Sequence, residues 1–260
     1  MTHLVFKHRF DIKDEDEDLT EPSGLALAQD SPGYWTVSDN AKRIFRLDAA
    51  GQVLRSIKAP KKNLEGIAAT PDGRLMSVRE DPPQILVIDP VTEAIQRVKL
   101  KDMAGWTHAL AQAFAAADNN GLEGITVCPD GRVLVVKEGK PGLLIEISGD
   151  LAAIEDVTEL TAEQGFEGCD PDTKADFSGL SWNQDKEAVW IVSDKLQRAF
   201  LFGLGDHKVQ ASLKLGYQKG GKTKVIEKAE GIAYEPGEPP RLHIVSDKKA
   251  ELYVFELVGG

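Results

Sequence analysis

Short apolar runs separated by tight-turn sequences follow one another along the whole chain. The stretch 64–100 contains four such runs, at residues 64–69, 75–80, 84–89 and 94–100. Turn residues such as Pro71-Asp72-Gly73 separate them, and Pro and Gly supply the dihedral angles that tight turns require. Short apolar runs bounded in this way are typical of β-strands. The stretch therefore predicts four consecutive antiparallel strands.

A short phrase marks the beginning of each such unit: an acid or Ser, then Gly, then an apolar residue. It occurs five times, at Ser23-Gly24-Leu25, Glu65-Gly66-Ile67, Glu123-Gly124-Ile125, Ser178-Gly179-Leu180 and Glu230-Gly231-Ile232. A second acid ends an apolar run 14 to 16 residues after each Gly, at Asp39, Glu80, Glu138, Asp194 and Asp247. Units of four short strands, repeated every 42 to 58 residues, predict the blades of a β-propeller.

The last copy of the repeat ends after its third strand, while an additional apolar segment, Leu4–Ile12, precedes the first copy. We expect this N-terminal strand to complete the last blade, since closing the ring removes exposed sheet edges. The predicted fold is all-β: a five-bladed propeller with four-stranded antiparallel blades, forming a single domain over residues 1–260. One helix is predicted, at Ala109–Ala117, inside the insertion 101–121.

The acids of the repeated phrase are candidate metal ligands. Adjacent strands are antiparallel, so the phrase and the second acid lie on the same rim, where Glu65, Glu123 and Glu230 should point into the channel mouth. Ser23 and Ser178 take the equivalent positions in the other two blades. Converging carboxylates repel one another unless they bind protons or a cation, and oxygen-only ligands favour Ca²⁺. Alternatively, the Glu side chains bond neighbouring backbone amides and only join the blades.

Candidate catalytic bases come from the same rim. Asp39 and Asp194 could accept a proton from a substrate or water, although Asp also commonly caps the turns that end strands. His108 lies on a predicted rim loop and is a third candidate, although a lone loop His more often has no role. His243 aligns with two Trp positions of other blades and is predicted to be a packing residue.

Three long loops emerge on this rim, at residues 101–121, 159–177 and 216–229. Long loops on a rigid scaffold commonly form binding sites. The middle loop is acidic, and the last carries four lysines around Gly220-Gly221, which predicts a flexible basic loop. An acidic mouth beside a basic loop suits an anionic ligand bridged by a metal, as in phosphoester or lactone hydrolysis. Solvated surface loops are the alternative.

Composition limits the possible partners. A net charge of −11 and a pI near 5.0 argue against nucleic acid, and no apolar stretch is long enough to span a bilayer. Cys128 and Cys169 are predicted to be free thiols, with a disulfide left open. The N-terminus lacks a signal-peptide layout, so the protein is cytoplasmic as written, or periplasmic or secreted if a targeting segment was removed. We expect a small-molecule ligand or a protein at the loop-bearing face.

Several motifs resemble those of the SdiA-regulated family of bacterial β-propellers: the Leu-Glu-Gly-Ile phrase, the Trp-x-Val-Ser-Asp runs and the Pro-Asp-Gly-Arg turns. The resemblance covers nearly the whole chain and implies a five-bladed propeller with bound calcium and no established activity. It places the calcium ligands at Glu65, Glu123 and Glu230, whereas Ser23 and Ser178 depart from the pattern. Esterase-like phytases and gluconolactonase-type propellers are similar more loosely.

These observations lead to two competing hypotheses. The first is a calcium-binding propeller that hydrolyses a small ester, lactone or phosphoester, with Ca²⁺ polarising the substrate oxygen and Asp39, Asp194 or His108 as the base. The second is a non-catalytic scaffold that binds a ligand or a protein and in which calcium is structural. The fold cannot choose between them, because propellers have both roles.

Overall fold

The computed structural model describes residues 2–60, 63–115, 121–170 and 175–259, which form 22 strands and one α-helix. The chain begins with β1 (His3–Asp11). Blade 1 contains β2 (Pro22–Leu27), β3 (Tyr34–Ser38), β4 (Arg43–Leu47) and β5 (Val53–Lys58). Blade 2 contains β6 (Leu64–Ala69), β7 (Leu75–Arg79), β8 (Gln84–Ile88) and β9 (Ile95–Lys99).

Helix α1 (His108–Phe114) follows blade 2. Blade 3 contains β10 (Leu122–Val127), β11 (Val133–Lys137), β12 (Leu143–Ile147) and β13 (Ile154–Glu159). Blade 4 contains β14 (Gly179–Asn183), β15 (Ala188–Ser193), β16 (Arg198–Gly203) and β17 (Lys208–Lys214). A hairpin follows, with strands β18 (Gly216–Lys219) and β19 (Lys222–Val225). Blade 5 contains β20 (Ala229–Glu235), β21 (Arg241–Ser246), β22 (Glu251–Val258) and the N-terminal β1.

The N-terminal strand closes the ring, which confirms the prediction made for residues 4–12. In blade 5, β1 pairs antiparallel with β22, and Phe6 lies opposite Phe255. The hydroxyl of Thr2 donates a hydrogen bond of 3.0 Å to the carbonyl of Gly259, so the two ends of the chain meet. This pairing satisfies an edge of β22 that would otherwise be exposed.

The core lies between the faces of neighbouring blades. Between blades 4 and 5, for example, Trp190 and Leu201 pack in one cluster with Ile244 and Phe255. The second and third strands of the blades are buried along most of their length, whereas the fourth strands, such as β5, carry mostly exposed or half-buried side chains. Short apolar strands buried on both faces explain the near-continuous apolar runs of the sequence.

Five glycines close the axis of the propeller. A Cβ on Gly66 would lie 2.6 Å from the carbonyl oxygen of Glu123, and one on Gly179 would lie 2.5 Å from that of Glu230. Contacts of the same kind join all five glycines of the repeated phrase, as expected for close backbone approach. The axial cavity that they line measures only 10 Å³, about the space of one water. The two rims are therefore separate surfaces.

Two segments differ from the predictions. Helix α1 ends at Phe114 rather than at residue 117, and residues 116–120 lie outside the described part of the chain. The predicted flexible loop at 216–229 instead contains the β18–β19 hairpin, whose turn residues Gly220 and Gly221 both have positive φ, at 60° and 72°. Paired positive-φ residues are the geometry that a two-residue hairpin turn requires. With α1 only seven residues long, the described residues offer no helix that could span a bilayer.

Candidate functional site

The first residue of the repeated phrase lies on a β-bulge in four of the five blades. The register between the first and second strands shifts at Ser23, Glu65, Glu123 and Glu230. A bulge inserts an extra residue into one strand and changes the direction of its side chain. Each of these four residues therefore departs from the regular alternation of side chains along its strand. Each also lies next to one of the five axial glycines, which we call the glycine ring.

The second acids lie on the same rim, as predicted from the antiparallel pairing. Leu64 pairs with Arg79, so Glu65 and Glu80 are at the same end of blade 2. The charges of Glu80 and Asp39 both act on the carboxyl group of Glu65. We call the acids at this end of the five blades the acid ring. Its members are Glu65, Glu123 and Glu230 near the axis, with Asp39, Glu80, Glu138, Asp194 and Asp247 around them.

The carboxyl groups of Glu65 and Glu123 are poorly solvated, and other acidic side chains surround them. Burial raises the pKa of Glu65 to about 8, and the charges of Asp39, Glu80 and Glu230 add to this effect, while the Ser23 hydroxyl opposes it. The pKa of Glu123 also lies well above its usual range, first because of burial and then because of four other carboxylates. Both residues nevertheless keep part of their surface exposed.

Glu230 differs because a cation lies beside it. Burial raises its pKa to about 7, and the charge of Lys228 opposes that rise. The Lys228 Nζ lies 3.7 Å from Glu230 Oε1 and 3.8 Å from Asp247 Oδ2. Four carboxylates, those of Glu230, Asp247, Asp194 and Asp176, raise the pKa of Lys228. One lysine therefore serves as the counter-ion for the part of the acid ring that belongs to blades 4 and 5.

In the two blades that carry Ser in the phrase, an acid lies two residues earlier. These acids are Glu21 before Ser23 and Asp176 before Ser178. The carboxylate of Asp176 accepts hydrogen bonds from the Ser193 hydroxyl, at 2.9 Å, and from the Lys195 amide, at 2.8 Å. Burial raises its pKa. The charge of Asp176 acts on Glu230 and that of Glu21 acts on Asp247, so both lie beside the acid ring, and aligning the repeats two residues further upstream would have revealed them.

The three candidate bases have different surroundings. Asp39 is half-buried beside Glu65, and its backbone amide donates a hydrogen bond to the carbonyl of Glu21. Asp194 accepts hydrogen bonds from the Gln197 side chain, at 2.8 Å, and from the Ala229 amide, at 3.3 Å. His108 is exposed and is the first residue of α1 rather than part of a loop. The structure therefore brings Asp39 and Asp194 into the acid ring.

Two further sequence predictions concern residues outside the ring. His243 is buried, as predicted for a packing residue, and its ring nitrogens lie 3.0 Å from the Tyr34 hydroxyl and 3.0 Å from Glu235 Oε2. This hydrogen-bonded row joins blades 1 and 5 at the rim opposite the acid ring. Cys128 and Cys169 are both free thiols.

The ring matches a hard cation in donor type and charge, although a metal centre is not preformed. Within residues 2–60, 63–115, 121–170 and 175–259, no three His, Cys, Asp or Glu side chains are grouped closely enough to hold a metal ion. The donors near the axis are carboxylate oxygens, with the hydroxyl of Ser23 beside Glu65. Such oxygen donors are those that Ca²⁺ prefers.

Comparison with known families settles the relationship of this chain. The model of the SdiA-regulated family matches residues 4–256. The chain belongs to the SdiA-regulated family. No curated protein matches this family member at a significant level.

Solved structures similar to this member of the SdiA-regulated family are β-propellers. Glutaminyl cyclase from Myxococcus xanthus superposes with a TM-score of 0.67 at 12% identity, covering 99% of this chain and 98% of its own. Virginiamycin B lyase from Staphylococcus aureus superposes with a TM-score of 0.51 at 13% identity, covering 97% of this chain and 74% of its own. A β-propeller domain from Myceliophteria thermophila superposes with a TM-score of 0.50 at 12% identity, covering 91% of this chain and 84% of its own. At these identities the likeness confirms the fold alone.

Proposed function

We propose that the acid ring binds a divalent cation, with Ca²⁺ the best match to its donors, and that Glu65 and Glu123 are the principal ligands. The supporting observation is electrostatic: the strongest charges acting on Glu123 are those of four other carboxylates. A bound cation would relieve this repulsion and the cost of burying the charges. Glu230, the third ligand expected from the sequence, is already paired with Lys228 and would contribute less.

Cation binding would join the blades at the axis. Glu65 belongs to blade 2 and Glu123 to blade 3, and each directly precedes one of two neighbouring glycines of the ring, Gly66 and Gly124. A cation held by both would add an electrostatic link to the backbone contacts there. Because a ligand that binds only the folded state stabilises it, saturating Ca²⁺ should raise the unfolding temperature.

Titration calorimetry with CaCl₂ on chelator-treated protein tests this proposal. Glu65→Gln and Glu123→Gln should each weaken Ca²⁺ binding by about tenfold or more, since each removes a charged ligand. Glu155→Gln, on the exposed face of β13, is the matched control and should bind as the parent does. The proposal fails if the parent protein binds no Ca²⁺, or if the ring variants and the control behave alike.

Hydrolysis of a small ester, lactone or phosphoester is a second candidate function. It is favoured by the position of a predicted base: the charge of Asp39 acts on Glu65, so a proton acceptor would lie beside a proposed cation ligand. Asp39, beside Glu65, is the best placed of the predicted bases. A bound Ca²⁺ would supply polarisation of a substrate oxygen.

The non-catalytic scaffold is the competing function, and an activity panel separates the two. The similar structures are named as a cyclase and a lyase, so the fold gives no preference for hydrolysis. Turnover of an ester, lactone or phosphoester that needs Ca²⁺ and is lost in Asp39→Asn would support the hydrolase. Ca²⁺ binding without turnover of any of these substrate classes would favour the scaffold.

A further inference from the structure

The hairpin β18–β19 differs in charge from the rest of the chain. Residues 207–226 contain five lysines and no Asp or Glu, in a protein whose net charge is −11. In the hairpin, Lys219 lies opposite Lys222, and Lys224 is two residues further along β19. Opposed residues and residues two apart share a face of an antiparallel pair, so these three lysines lie on one face. We call Lys219, Lys222 and Lys224 the lysine face.

The lysine face lacks an anionic partner. Its three side chains are exposed, and none forms an ion pair with another residue in the described ranges. The acid that follows the hairpin, Glu227, already lies 2.8 Å from Lys248 Nζ and 2.9 Å from Lys249 Nζ. Like charges directly opposite each other, as Lys219 and Lys222 are, destabilise a pair of strands. An anion bound here would relieve that repulsion.

Aromatic packing fixes the hairpin on blade 5. Tyr217 is buried, and its ring stacks on that of Phe6 with centroids 4.7 Å apart and lies 5.5 Å from that of Tyr253. Leu215 and Ile226, which flank the hairpin, are buried in the same core cluster. The lysine face is therefore held in place on the propeller, which lowers the entropic cost of binding a partner.

The outer edge of β19 is open to a further strand. Of the strands that the structure describes, only β18 pairs with β19. Lys219 and Lys222 close a two-residue turn and so exchange hydrogen bonds, which leaves the backbone groups of Thr223 and Val225 pointing away from β18. Both residues are exposed. An unpaired edge can accept an added strand, and lysines along it disfavour a basic strand and favour an acidic one.

The face opposite the lysine face borders a groove of 610 Å³. Gln218, Thr223 and Val225 line it from the hairpin, and Leu4–Phe6 line it from blade 5. Residues 196–198 contribute from blade 4, and the described residues that line the groove include no Asp or Glu. Val225 is 52% exposed, and Leu4–Phe6 are half-buried. An apolar side chain that enters the groove would therefore meet accessible apolar surface.

We propose that the edge of β19 binds an extended segment of a partner protein in which acidic and apolar residues alternate. Side chains of an added strand point alternately to its two faces, so the acids would lie over the lysine face and the apolar residues would face the groove. A short segment contacts the hairpin alone, whereas a long polyanion or an anionic lipid surface would also meet the acidic remainder of the protein. This surface does not require the proposed cation site.

Three blocked, fluorescein-labelled peptides test the proposal by fluorescence anisotropy. Glu-Leu-Glu-Leu-Glu should bind, with an affinity that falls as the salt concentration rises, and Lys-Leu-Lys-Leu-Lys should not bind. Glu-Glu-Glu-Leu-Leu has the same composition without the alternation and should bind about fivefold more weakly or less. Equal binding of the two acidic peptides, or binding of neither, would overturn the proposal. Tighter binding to phosphatidylglycerol vesicles than to the alternating peptide would identify a membrane surface instead and also overturn it.

Variants of β19 separate strand addition from simple charge attraction. Thr223→Pro removes an outward-pointing N–H and should abolish binding of the alternating peptide without lowering the unfolding temperature, whereas Thr223→Ser should bind as the parent does. Lys222→Glu should weaken binding of the acidic peptide by about fivefold and allow the basic peptide to bind. Lys186→Glu, on an exposed turn of blade 4, is the control and should change neither. Unchanged binding in Thr223→Pro would overturn pairing at this edge.

A last pair of measurements separates this surface from the acid ring. Binding of the alternating peptide should be the same with chelator as with Ca²⁺, and the same in Glu123→Gln as in the parent, because Glu123 lies neither in the hairpin nor in the groove lining. Peptide binding that needs Ca²⁺ or Glu123 would place the peptide at the acid ring and overturn the inference. Failure of Ca²⁺ binding in the parent protein would overturn only the proposed function.

Discussion

The ammonium group of Lys228 lies 3.7 Å from the carboxylate of Glu230, at the axial end of blade 5. The chain therefore carries its own counter-ion for one side of the acid ring. On the other side, the strongest influences on Glu123 come from burial and from further carboxylates. In the proposed cation site, this asymmetry would direct an added cation towards Glu65 and Glu123 rather than towards the centre of a symmetric ring.

Replacement of Lys228 by Met should destabilise the protein at alkaline pH. Without the ammonium group, Glu230 and Asp247 repel each other and their neighbours, so we expect the unfolding temperature to fall by about 1–3 °C at pH 8. Below pH 7 the loss should be smaller, because Glu230, with a pKa of about 7, is then mostly protonated. Thermal unfolding of Lys228→Met and of the exposed control Lys186→Met measures this. An equal loss at both pH values would contradict it.

The stability of the metal-free protein should fall as the pH rises from about 5 to about 8. The pKa of Glu65 is about 8 in the folded state against an ordinary value of 4.5, so the folded protein keeps a proton that the unfolded chain releases. This contribution is complete below the unfolded pKa and is lost as the pH rises through the folded pKa. Glu65→Gln cannot titrate and should flatten the pH profile of the unfolding temperature, measured with chelator present. If the pH profile of Glu65→Gln were as steep as that of the exposed control Glu155→Gln, the raised pKa of Glu65 would not be the cause of the pH dependence.

Alanine at a position of the glycine ring should be strongly destabilising. In Gly66→Ala the new Cβ would lie 2.6 Å from one backbone oxygen and 2.8 Å from a backbone nitrogen of blade 3, neither of which can move alone. We expect a loss of about 3 kcal/mol or more in the free energy of unfolding. Gly205→Ala, in the turn before β17, is the control, since a Cβ there would have no other atom within 4 Å. Similar denaturant midpoints for the two variants would refute the crowding argument.

Deletion of residues 2–11 should expose the edge of β22 and destabilise blade 5. The deletion removes the whole pairing of β1, including the apolar contact of Phe6 with Phe255. Size-exclusion chromatography should show concentration-dependent association, because an unpaired strand edge recruits other chains. A synthetic peptide of the deleted segment should restore the monomer. A truncated chain that stays monomeric with an unchanged unfolding temperature would show that β1 does not close the ring.

Much of the fold could be predicted because short sequence patterns specify the strands of a blade, and these patterns are repeated five times. The phrase around Gly66 recurs in every blade, its apolar runs have strand length, and the missing strand of the last blade had one available partner, residues 4–12. The glycine contacts followed from the same repeat. The hairpin at 216–225 was missed because its lysine-rich strands carry little apolar signal, although Gly220-Gly221 is a turn sequence.

The candidate site was predictable in its residue types and only partly in its arrangement. Antiparallel pairing placed Glu65 and Asp39 on one rim, and the structure confirms that placement. The role of Lys228 had no sequence signal, since a lysine in a basic loop is ordinarily a solvated residue. Whether the ring binds Ca²⁺ stays a prediction, and the same holds for catalysis by Asp39, Asp194 or His108.

By itself, the sequence determined the class of fold, the number of blades and the ring of glycines, because these depend on short periodic patterns that repeat along the chain. Only the tertiary structure decided which side of the acid ring is neutralised by Lys228, and which carboxylates of other blades act on Glu123. Both depend on segments distant in sequence that meet in space. Their positions come from bulges, turns and packing between blades, which no local pattern specifies.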